Sequence, residues 1–239
     1  MLNKSKHQVV MASILRDMYI EPALGPLLGF KGGTCAYFFY GLPRFSVDLD
    51  FDWLGSANEK EQETALQAIK RIASLYGTIK ESYIKNFTIF ILLSYGEQDR
   101  NIKIEISRRL PDVDMGKRFV LKEYFGISML VATKPNMFAS KLVALTNRPE
   151  LVTRDIFDID FFFKQLWDID EEIITVRGGK PLKEYLTDCI TAVKSVKENE
   201  LLAGLGELVD EKQKDWVKSK MIPEVLFQLQ NYQASLTRK

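Results

Sequence analysis

Apolar residues recur at helical spacing in two segments of the first half of the chain. In residues 8–19 this spacing predicts a helix, which ends before Pro22. In residues 58–76 it predicts a longer helix, which begins with a charged turn and stops at Gly77. The segment between these two helices follows a different pattern.

Strict alternation of apolar and polar residues over residues 46–53 predicts a strand with one polar face. That face carries Asp48, Asp50 and Asp52. Upstream, residues 30–40 combine an apolar start, a glycine pair and an aromatic segment, which predicts a short strand, a turn and a short helix. A tight turn and a strand rich in carboxylates therefore lie close together in the sequence.

A β-hairpin is predicted for residues 87–95 and 101–107, because two β-like runs flank a short polar stretch with turn chemistry. In the second run three polar residues alternate with isoleucines and share one face. They are Lys103, Glu105 and Ser107. This strand therefore offers a second polar face with a carboxylate in it.

From about residue 133 onward every strong pattern is helical. The predicted helices cover residues 133–148, 153–167, 181–196, 200–209 and 212–232. Proline and glycine residues between positions 110 and 130 mark the change of pattern. We therefore expect an α+β protein with a small mixed sheet in a first domain, residues 1–125, and a helical second domain, residues 126–239.

Composition and charge narrow the classes of function. The 239 residues are 46% hydrophobic, which suffices for a core, and 33 Lys+Arg against 32 Asp+Glu leave a formal net charge of +1. A polyanionic partner must therefore be met by a local patch. No apolar run reaches the roughly 18 residues of a membrane span. The N-terminal lysines precede no apolar stretch, so we expect neither secretion nor a membrane partner.

Two cysteines and one histidine limit the chemistry further. Cys35 and Cys189 can form neither a disulfide framework nor a four-thiolate zinc site, and they favour a reducing compartment, with the cytoplasm as the expected location. His7, in a polar N-terminal stretch, argues against Ser-His-Asp, Cys-His and HExxH chemistry. The expected chemistry therefore runs on carboxylates and lysines.

The turn Gly32-Gly33-Thr34, followed after thirteen residues by Asp48 and Asp50, suits transfer from a nucleoside triphosphate. A glycine turn that opens a helix lets backbone N–H groups approach phosphate oxygens, and the helix N-terminus favours an anion. The turn is therefore the predicted nucleotide-binding element.

Carboxylates at positions i and i+2 of a strand project side by side and can hold one or two Mg²⁺ or Mn²⁺ ions about 3.5–4 Å apart. Asp48 and Asp50 are the predicted metal ligands, and Glu105 is the best candidate for a third. Metal ions there would activate an acceptor hydroxyl, bridge the α-phosphate and neutralise a pyrophosphate leaving group. Such a site needs no histidine.

Several motifs, in order, resemble the AbiEii/AbiGii toxin family of the nucleotidyltransferase superfamily, which is related to the MenT toxins. They are Lys31-Gly32-Gly33-Thr34, Arg44-Phe45-Ser46, Asp48-Leu49-Asp50-Phe51, Lys103-Ile104-Glu105-Ile106, residues 141–145 with Arg148, and residues 154–158. The resemblance covers roughly residues 29–163, whereas residues 170–239 carry no functional expectation.

The resemblance implies roles for residues outside the carboxylate motif. It assigns Lys141 to nucleotide phosphates and makes Asp158 a catalytic carboxylate at a cleft between the two domains, where it would either orient Lys141 or act on the acceptor. It also places Arg44 and Ser46 beside the nucleotide, although both could instead cap the turn before the strand. Asp52 lies outside the superfamily pattern, so we expect it to be solvated or to support the site indirectly.

Cations of the predicted helical domain lie at regular spacing. Lys134, Lys141 and Arg148 fall seven residues apart and line one stripe of a helix. This stripe suits a triphosphate or an RNA backbone, although a charged stripe is more often a solvated face. Arg154 and Asp158 are spaced for an i,i+4 ion pair.

The resemblance therefore implies a nucleotidyltransferase that transfers a nucleoside monophosphate from an NTP to a hydroxyl group. It implies the toxin of a bacterial toxin–antitoxin or abortive-infection pair, with a tRNA acceptor and a separately encoded antitoxin protein. Asp48, Asp50 and Lys141 lie on predicted polar faces, so their substitution is expected to abolish transfer and leave the fold intact.

Two alternatives stay open. A nucleotidyltransferase without toxin function would modify a protein or a small molecule, and the absence of toxicity on expression would identify it. A non-catalytic module would bind nucleotide only, and the intact Asp48, Asp50 and Lys141 argue against it.

Overall fold

Seven strands form one mixed sheet in the computed structural model, which describes residues 2–55, 58–96, 101–109, 114–148 and 150–236. The strands are β1 (Leu28–Lys31), β2 (Leu49–Trp53), β3 (Thr78–Lys85), β4 (Thr88–Ser94), β5 (Ile102–Ser107), β6 (Phe119–Tyr124) and β7 (Ile127–Ala132). Their order across the sheet is β3-β4-β5-β2-β1-β7-β6. Strands β5, β2 and β1, which carry most of the predicted site, therefore lie inside the sheet and away from its edges.

Nine α-helices accompany these strands in the described ranges. They are α1 (Lys4–Ile20), α2 (Gly32–Tyr40), α3 (Glu59–Ser74), α4 (Lys134–Asn147), α5 (Thr153–Lys164), α6 (Glu171–Gly178), α7 (Leu182–Lys194), α8 (Glu211–Ser219) and α9 (Met221–Ser235). Together with the mixed sheet they confirm the predicted α+β class.

Contacts divide the chain into two compact units. The sheet unit contains the described residues up to Thr133 except 42–44, and the helical unit contains residues 42–44 and those from Lys134 onward. Strand β7 belongs to the sheet although it follows residue 125, where the first domain is predicted to end. Whether either unit folds as an independent domain stays a prediction.

Strand pairing places the carboxylate-bearing strand between two partners. Strand β2 runs parallel to β5, with Asp50 opposite Glu105. On its other side it runs antiparallel to β1, with Lys31 opposite Asp50. Because residues that lie opposite each other project to the same face, this register brings the two acidic side chains together.

The apolar faces of strands β2 and β5 are buried, as the alternation predicts. Phe51 and Trp53 of β2 are buried, as are the isoleucines of β5. Helix α1 buries one stripe, which includes Met11, Ile14 and Met18. In the helical unit, α4 and α5 pack together, with the Phe138 and Phe162 rings in edge contact. Each unit therefore has a hydrophobic core of its own.

Some predicted elements differ from the structure. Residues 201–209 form successive turns, and the predicted helix over residues 200–209 is wrong; Gly204, at φ +66°, adopts a left-handed conformation that a helix does not allow. The predicted helix over residues 212–232 is two helices, α8 and α9, that meet at Lys220.

The hairpin of β4 and β5 is confirmed, whereas β3, β6 and β7 lack a clear signal in the sequence. Strand β3 is largely exposed and highly polar, so it has no alternating apolar face. As for membranes, none of the helices in the described ranges has the length and hydropathy needed to cross one.

Candidate active site

Strand β1 runs directly into α2, and the N-terminus of this helix lies against a carboxylate. Gly32, the first residue of α2, has φ +79°, and a Cβ there would lie 2.5 Å from Asp50 Oδ2. Only glycine tolerates both the left-handed conformation and this approach. No side chain in the described chain caps the first turn of α2. The first backbone N–H groups of α2 therefore lack a side-chain cap and begin beside the Asp50 carboxylate, and a phosphate can accept hydrogen bonds from them.

Three carboxylates lie on this side of the sheet. Asp48 directly precedes β2, and Asp50 and Glu105 lie opposite each other on β2 and β5. Burial raises the pKa of Asp50, the charge of Asp48 raises it further, and Glu105 adds to the effect against the opposing charge of Lys103. The side chain of Glu105 is 40% exposed and that of Asp48 is 20% exposed. The cluster is therefore electrostatically strained and open to a cation from solvent.

An ammonium group faces the same cluster. Lys103 Nζ lies 3.4 Å from Glu105 Oε2 and 3.9 Å from Asp48 Oδ2. Burial lowers the pKa of Lys103, but the charges of Asp48, Asp50 and Glu105 outweigh burial and raise it. Lys103 therefore stays charged and offsets part of the negative charge.

The donor set fits a hard divalent cation. All the available ligands are carboxylate oxygens, which Mg²⁺ and Mn²⁺ prefer. In the described part of the chain no three acidic, histidine or cysteine side chains already surround a common point closely enough to hold a metal ion. Mg²⁺ commonly takes only one or two protein carboxylates and completes its shell with water and substrate phosphates. Asp48 and Asp50 meet that requirement.

The segment before β2 is held in place from two sides. The Thr34 hydroxyl donates to the Asp48 carbonyl, and its Oγ lies 2.9 Å from Ser46 Oγ. His7 Nε2 lies 2.9 Å from the Val47 carbonyl oxygen, while Nδ1 lies 2.6 Å from the hydroxyl of Tyr95. Thr34 and His7 are fully buried. Their hydrogen bonds therefore set the position of Asp48 through its backbone.

Asp52 does not face solvent. It is 2% exposed, and its Oδ1 lies 2.5 Å from Lys31 Nζ. The expectation that Asp52 is solvated is therefore wrong, because the antiparallel pairing of β1 with β2 places a lysine beside it. The other expectation, an indirect supporting role, is compatible with this buried ion pair.

A second cluster of charges lies in the helical unit. Arg44 binds Asp158 with two contacts, Nε to Oδ1 at 2.6 Å and Nη2 to Oδ2 at 2.7 Å. Both side chains are almost completely buried. Burial alone would raise the pKa of Asp158, but the positive charges of Arg44 and Lys141 hold it below its ordinary value. Asp158 is therefore an ionised buried carboxylate that pairs with Arg44 and Lys141 and not with Arg154.

Lys141 links this pair to another aspartate. Its Nζ lies 2.9 Å from Asp158 Oδ2 and 2.9 Å from Asp155 Oδ1. Arg148 Nη1 lies 3.0 Å from Asp155 Oδ2, in an ion pair without hydrogen-bond alignment. Burial lowers the pKa of Lys141, yet the charges of Asp155 and Asp158 outweigh burial and raise it. Three cations and two carboxylates thus form one network.

The alternative that the stripe of cations is a solvated face does not hold for Lys141. Its side chain is 13% exposed, and both of its carboxylate partners are buried. Periodicity alone predicts the stripe but not the acidic residues that cover it. Asp155, three residues before Asp158 on α5, has a weak signal in the sequence, because residues at i and i+3 share a helix face.

Comparison with known proteins decides the family. A family model described as nucleotidyl transferase AbiEii toxin, Type IV TA system, matches residues 13–226. The chain belongs to this family. Membership makes the protein a nucleotidyltransferase of the toxin–antitoxin class, with an NTP substrate and an antitoxin partner. The matched range is longer than the range of the motifs, roughly residues 29–163, and it includes most of both units of this AbiEii protein.

Two solved structures share the fold of this AbiEii protein. One, from H. pylori, is described as a candidate nucleotidyltransferase; it is 21% identical at a TM-score of 0.59, over 98% of this chain and 96% of the other. The second, JHP933 from Helicobacter pylori, is 21% identical at a TM-score of 0.53, over 100% of this chain and 99% of the other. No curated protein sequence matches the chain. At this identity the two structures establish the fold alone.

Proposed function

We propose that this AbiEii protein transfers a nucleoside monophosphate from an NTP to a hydroxyl of an RNA, with the acceptor end of tRNA as the target, and releases pyrophosphate. The observation that carries the proposal is the approach of Gly32 to Asp50 in a face that also holds Asp48 and Glu105. Uncapped helix N–H groups and clustered carboxylates are what a metal-bound triphosphate requires.

Each group on this face has a defined task in the proposed reaction. Backbone N–H groups at Gly32 and Gly33 bind the phosphates of the NTP. Asp48 and Asp50 would hold one or two divalent ions, with Glu105 as a further ligand. Bound Mg²⁺ or Mn²⁺ supplies Lewis acidity to the α-phosphate and lowers the pKa of the acceptor hydroxyl. Thr34 acts on the nucleotide site indirectly, since its hydroxyl holds the backbone of Asp48, and Ser46 contributes through its contact with the Thr34 hydroxyl.

The chemical balance of the step is simple. The acceptor oxygen forms a bond to the α-phosphorus while the bond from that phosphorus to the bridging oxygen of pyrophosphate breaks. The hydroxyl proton is released to solvent through the exposed side of the carboxylate cluster. No histidine takes part, which agrees with the purely structural contacts of His7.

Roles for Lys141 and Asp158 toward the donor nucleotide are proposed from the family resemblance. Their network carries three cations against two carboxylates, so it retains a net positive charge that suits phosphate oxygens. Arg44 serves this role by holding Asp158. The acceptor class rests on the toxin family alone, as do the separately encoded antitoxin and the cytoplasm as the place of action.

The test is incubation of the purified protein with Mg²⁺, each of the four α-³²P-labelled NTPs in turn, and total bacterial RNA with protein extract. Asp48→Asn is the inactive variant. Glu81→Gln, an exposed carboxylate on β3, is the matched control. We expect label in a tRNA-sized band with the wild type and Glu81→Gln, and none with Asp48→Asn.

Other outcomes identify other functions. Label in a protein band would replace tRNA by a protein acceptor. If no NTP gives label but NTP binding is measurable, the protein is a non-catalytic nucleotide-binding module. Expression of wild type and Asp48→Asn in bacteria tests the toxin role separately, because growth arrest by the wild type alone ties toxicity to transfer.

A further inference from the structure

Lys103 has a position that the proposed reaction does not yet use. It lies on β5, two residues before Glu105 and on the same face. Its ammonium is 3.4 Å from Glu105 and 3.9 Å from Asp48, and its side chain is 33% exposed. These distances exceed those of a tight charge-assisted hydrogen bond. Lys103 is therefore shared between carboxylates and is not committed to one of them.

A count of charges shows why this position matters. Asp48, Asp50 and Glu105 contribute three negative charges, and Lys103 reduces the local sum to two. Lys31, the other lysine near Asp50, is committed to Asp52 at 2.5 Å. Among the described residues, Asp48 and Glu105 each have an ion pair within 4 Å, and Lys103 is the cation in both. The local sum of two negative charges matches one divalent ion.

We propose that Lys103 is a positioning residue: a fixed counter-ion that holds the three carboxylates together and limits the site to one divalent cation until the nucleotide binds. This inference rests on the proposed metal-dependent function. Without the lysine, the three carboxylates repel each other and the empty cluster is destabilised. With the lysine, an entering cation meets a like charge, and its binding is weakened.

The test compares Mn²⁺ binding by wild type and Lys103→Met, measured by the EPR signal of free Mn²⁺ in the absence of nucleotide. Lys103→Met is expected to bind Mn²⁺ about tenfold more tightly, because the like charge beside the carboxylates is removed. The wild type is expected to bind one Mn²⁺. Lys85→Met, an exposed lysine on β3, is the matched control and is expected to bind like the wild type.

Thermal unfolding provides a second readout. Lys103→Met is expected to melt below the wild type without metal and to gain more from saturating Mn²⁺ than the wild type does. A residue that only packs would lower the melting temperature equally with and without metal. Lys103→Arg, which keeps the charge, is expected to restore wild-type Mn²⁺ affinity and keeps the test valid if the methionine variant does not fold.

The experiment distinguishes failure of the proposed metal site from failure of the counter-ion role of Lys103. If the wild type binds no Mn²⁺, the proposed metal site fails and the counter-ion role fails with it. If the wild type binds Mn²⁺ and Lys103→Met binds with equal affinity, only the counter-ion role is overturned. Two Mn²⁺ ions in the nucleotide-free wild type would also overturn it. Weaker binding of a metal-free nucleotide, with unchanged Mn²⁺ affinity, would assign Lys103 to the phosphates instead.

Discussion

Gly32 combines two constraints that other residue types do not meet together. Its backbone is left-handed, and the Asp50 carboxylate occupies the space of a Cβ. Gly41, at the other end of α2, shares the left-handed backbone at φ +72° but has no atom within 4 Å of a Cβ position. Comparison of Gly32 with Gly41 therefore separates the effect of the left-handed backbone from the effect of the contact with Asp50.

We expect Gly32→Ala to cost about 3 kcal/mol in the free energy of unfolding and to abolish transfer, because Asp50 must move. Gly41→Ala is expected to cost about 1 kcal/mol, from backbone strain alone, and to keep activity. Urea unfolding and the labelling assay measure the two effects. Equal losses in both variants would show that contact with Asp50 plays no part.

Lys141 is a second case in which one side chain decides both stability and chemistry. Lys141→Ala leaves Asp155 and Asp158 with fewer positive partners in a buried site, and we expect a loss of about 3–5 kcal/mol in the free energy of unfolding. The expectation that this substitution leaves the fold intact is thus replaced by one of partial destabilisation.

The control for Lys141 is Lys180→Ala. Lys180 makes a surface ion pair with Asp188 at 2.7 Å, with both side chains well exposed, so its removal is expected to change stability little. Urea unfolding of both variants measures the contrast. A stable Lys141→Ala protein without activity would favour a direct role at the phosphates over a structural one.

At the scale of elements, the segment that leads into β2 depends on hydrogen bonds from two helices. Thr34, on α2, donates to the carbonyl of Asp48. His7, on α1, binds the carbonyl of Val47. A segment without ladder hydrogen bonds of its own must satisfy its buried carbonyls in this way. The position of Asp48 is thus a property of three elements together.

We expect Thr34→Val, which preserves shape and removes the donor, to cost about 1–3 kcal/mol of stability and to reduce transfer by loosening Asp48. Thr64→Val is the control, since the Thr64 hydroxyl also donates to a backbone carbonyl but on the exposed face of α3. Chemical denaturation and labelling kinetics measure both variants. Full transfer activity in Thr34→Val would rule out this positioning role.

At the scale of the whole molecule, each compact unit contains one cysteine, and the reactivity of its thiol measures how often that unit opens. Cys35 lies in the sheet unit and Cys189 in the helical unit, and both are buried. Burial raises the pKa of Cys35, and it raises the pKa of Cys189 to about 12. Both thiols are therefore protonated as well as inaccessible in the native protein.

We expect each thiol to react with iodoacetamide at least about a thousandfold more slowly in the native protein than in denaturant, because a unit must open before the reagent enters. Cys35→Ala and Cys189→Ala each leave one reporter, and mass spectrometry follows the labelling. Rapid labelling of either remaining thiol under native conditions would contradict the burial of that unit's core.

Local pattern alone determined the parts of this protein that depend on neighbours in the chain. Alternation in residues 46–53 places Asp48 and Asp50 on a polar face, and the glycine pair predicts the turn that opens α2. Such features follow from backbone geometry within a few residues, so a single sequence contains them. The order of the motifs was sufficient to indicate the AbiEii family.

Tertiary structure alone decided which charges meet. Arg44 and Asp158 are 114 residues apart, and periodicity carries no information about their pairing. The same holds for Lys31 with Asp52, which depends on the pairing of β1 with β2. An ion pair is selected by the adjacency of elements and by the cost of burying a charge without a partner, and both are properties of the folded chain.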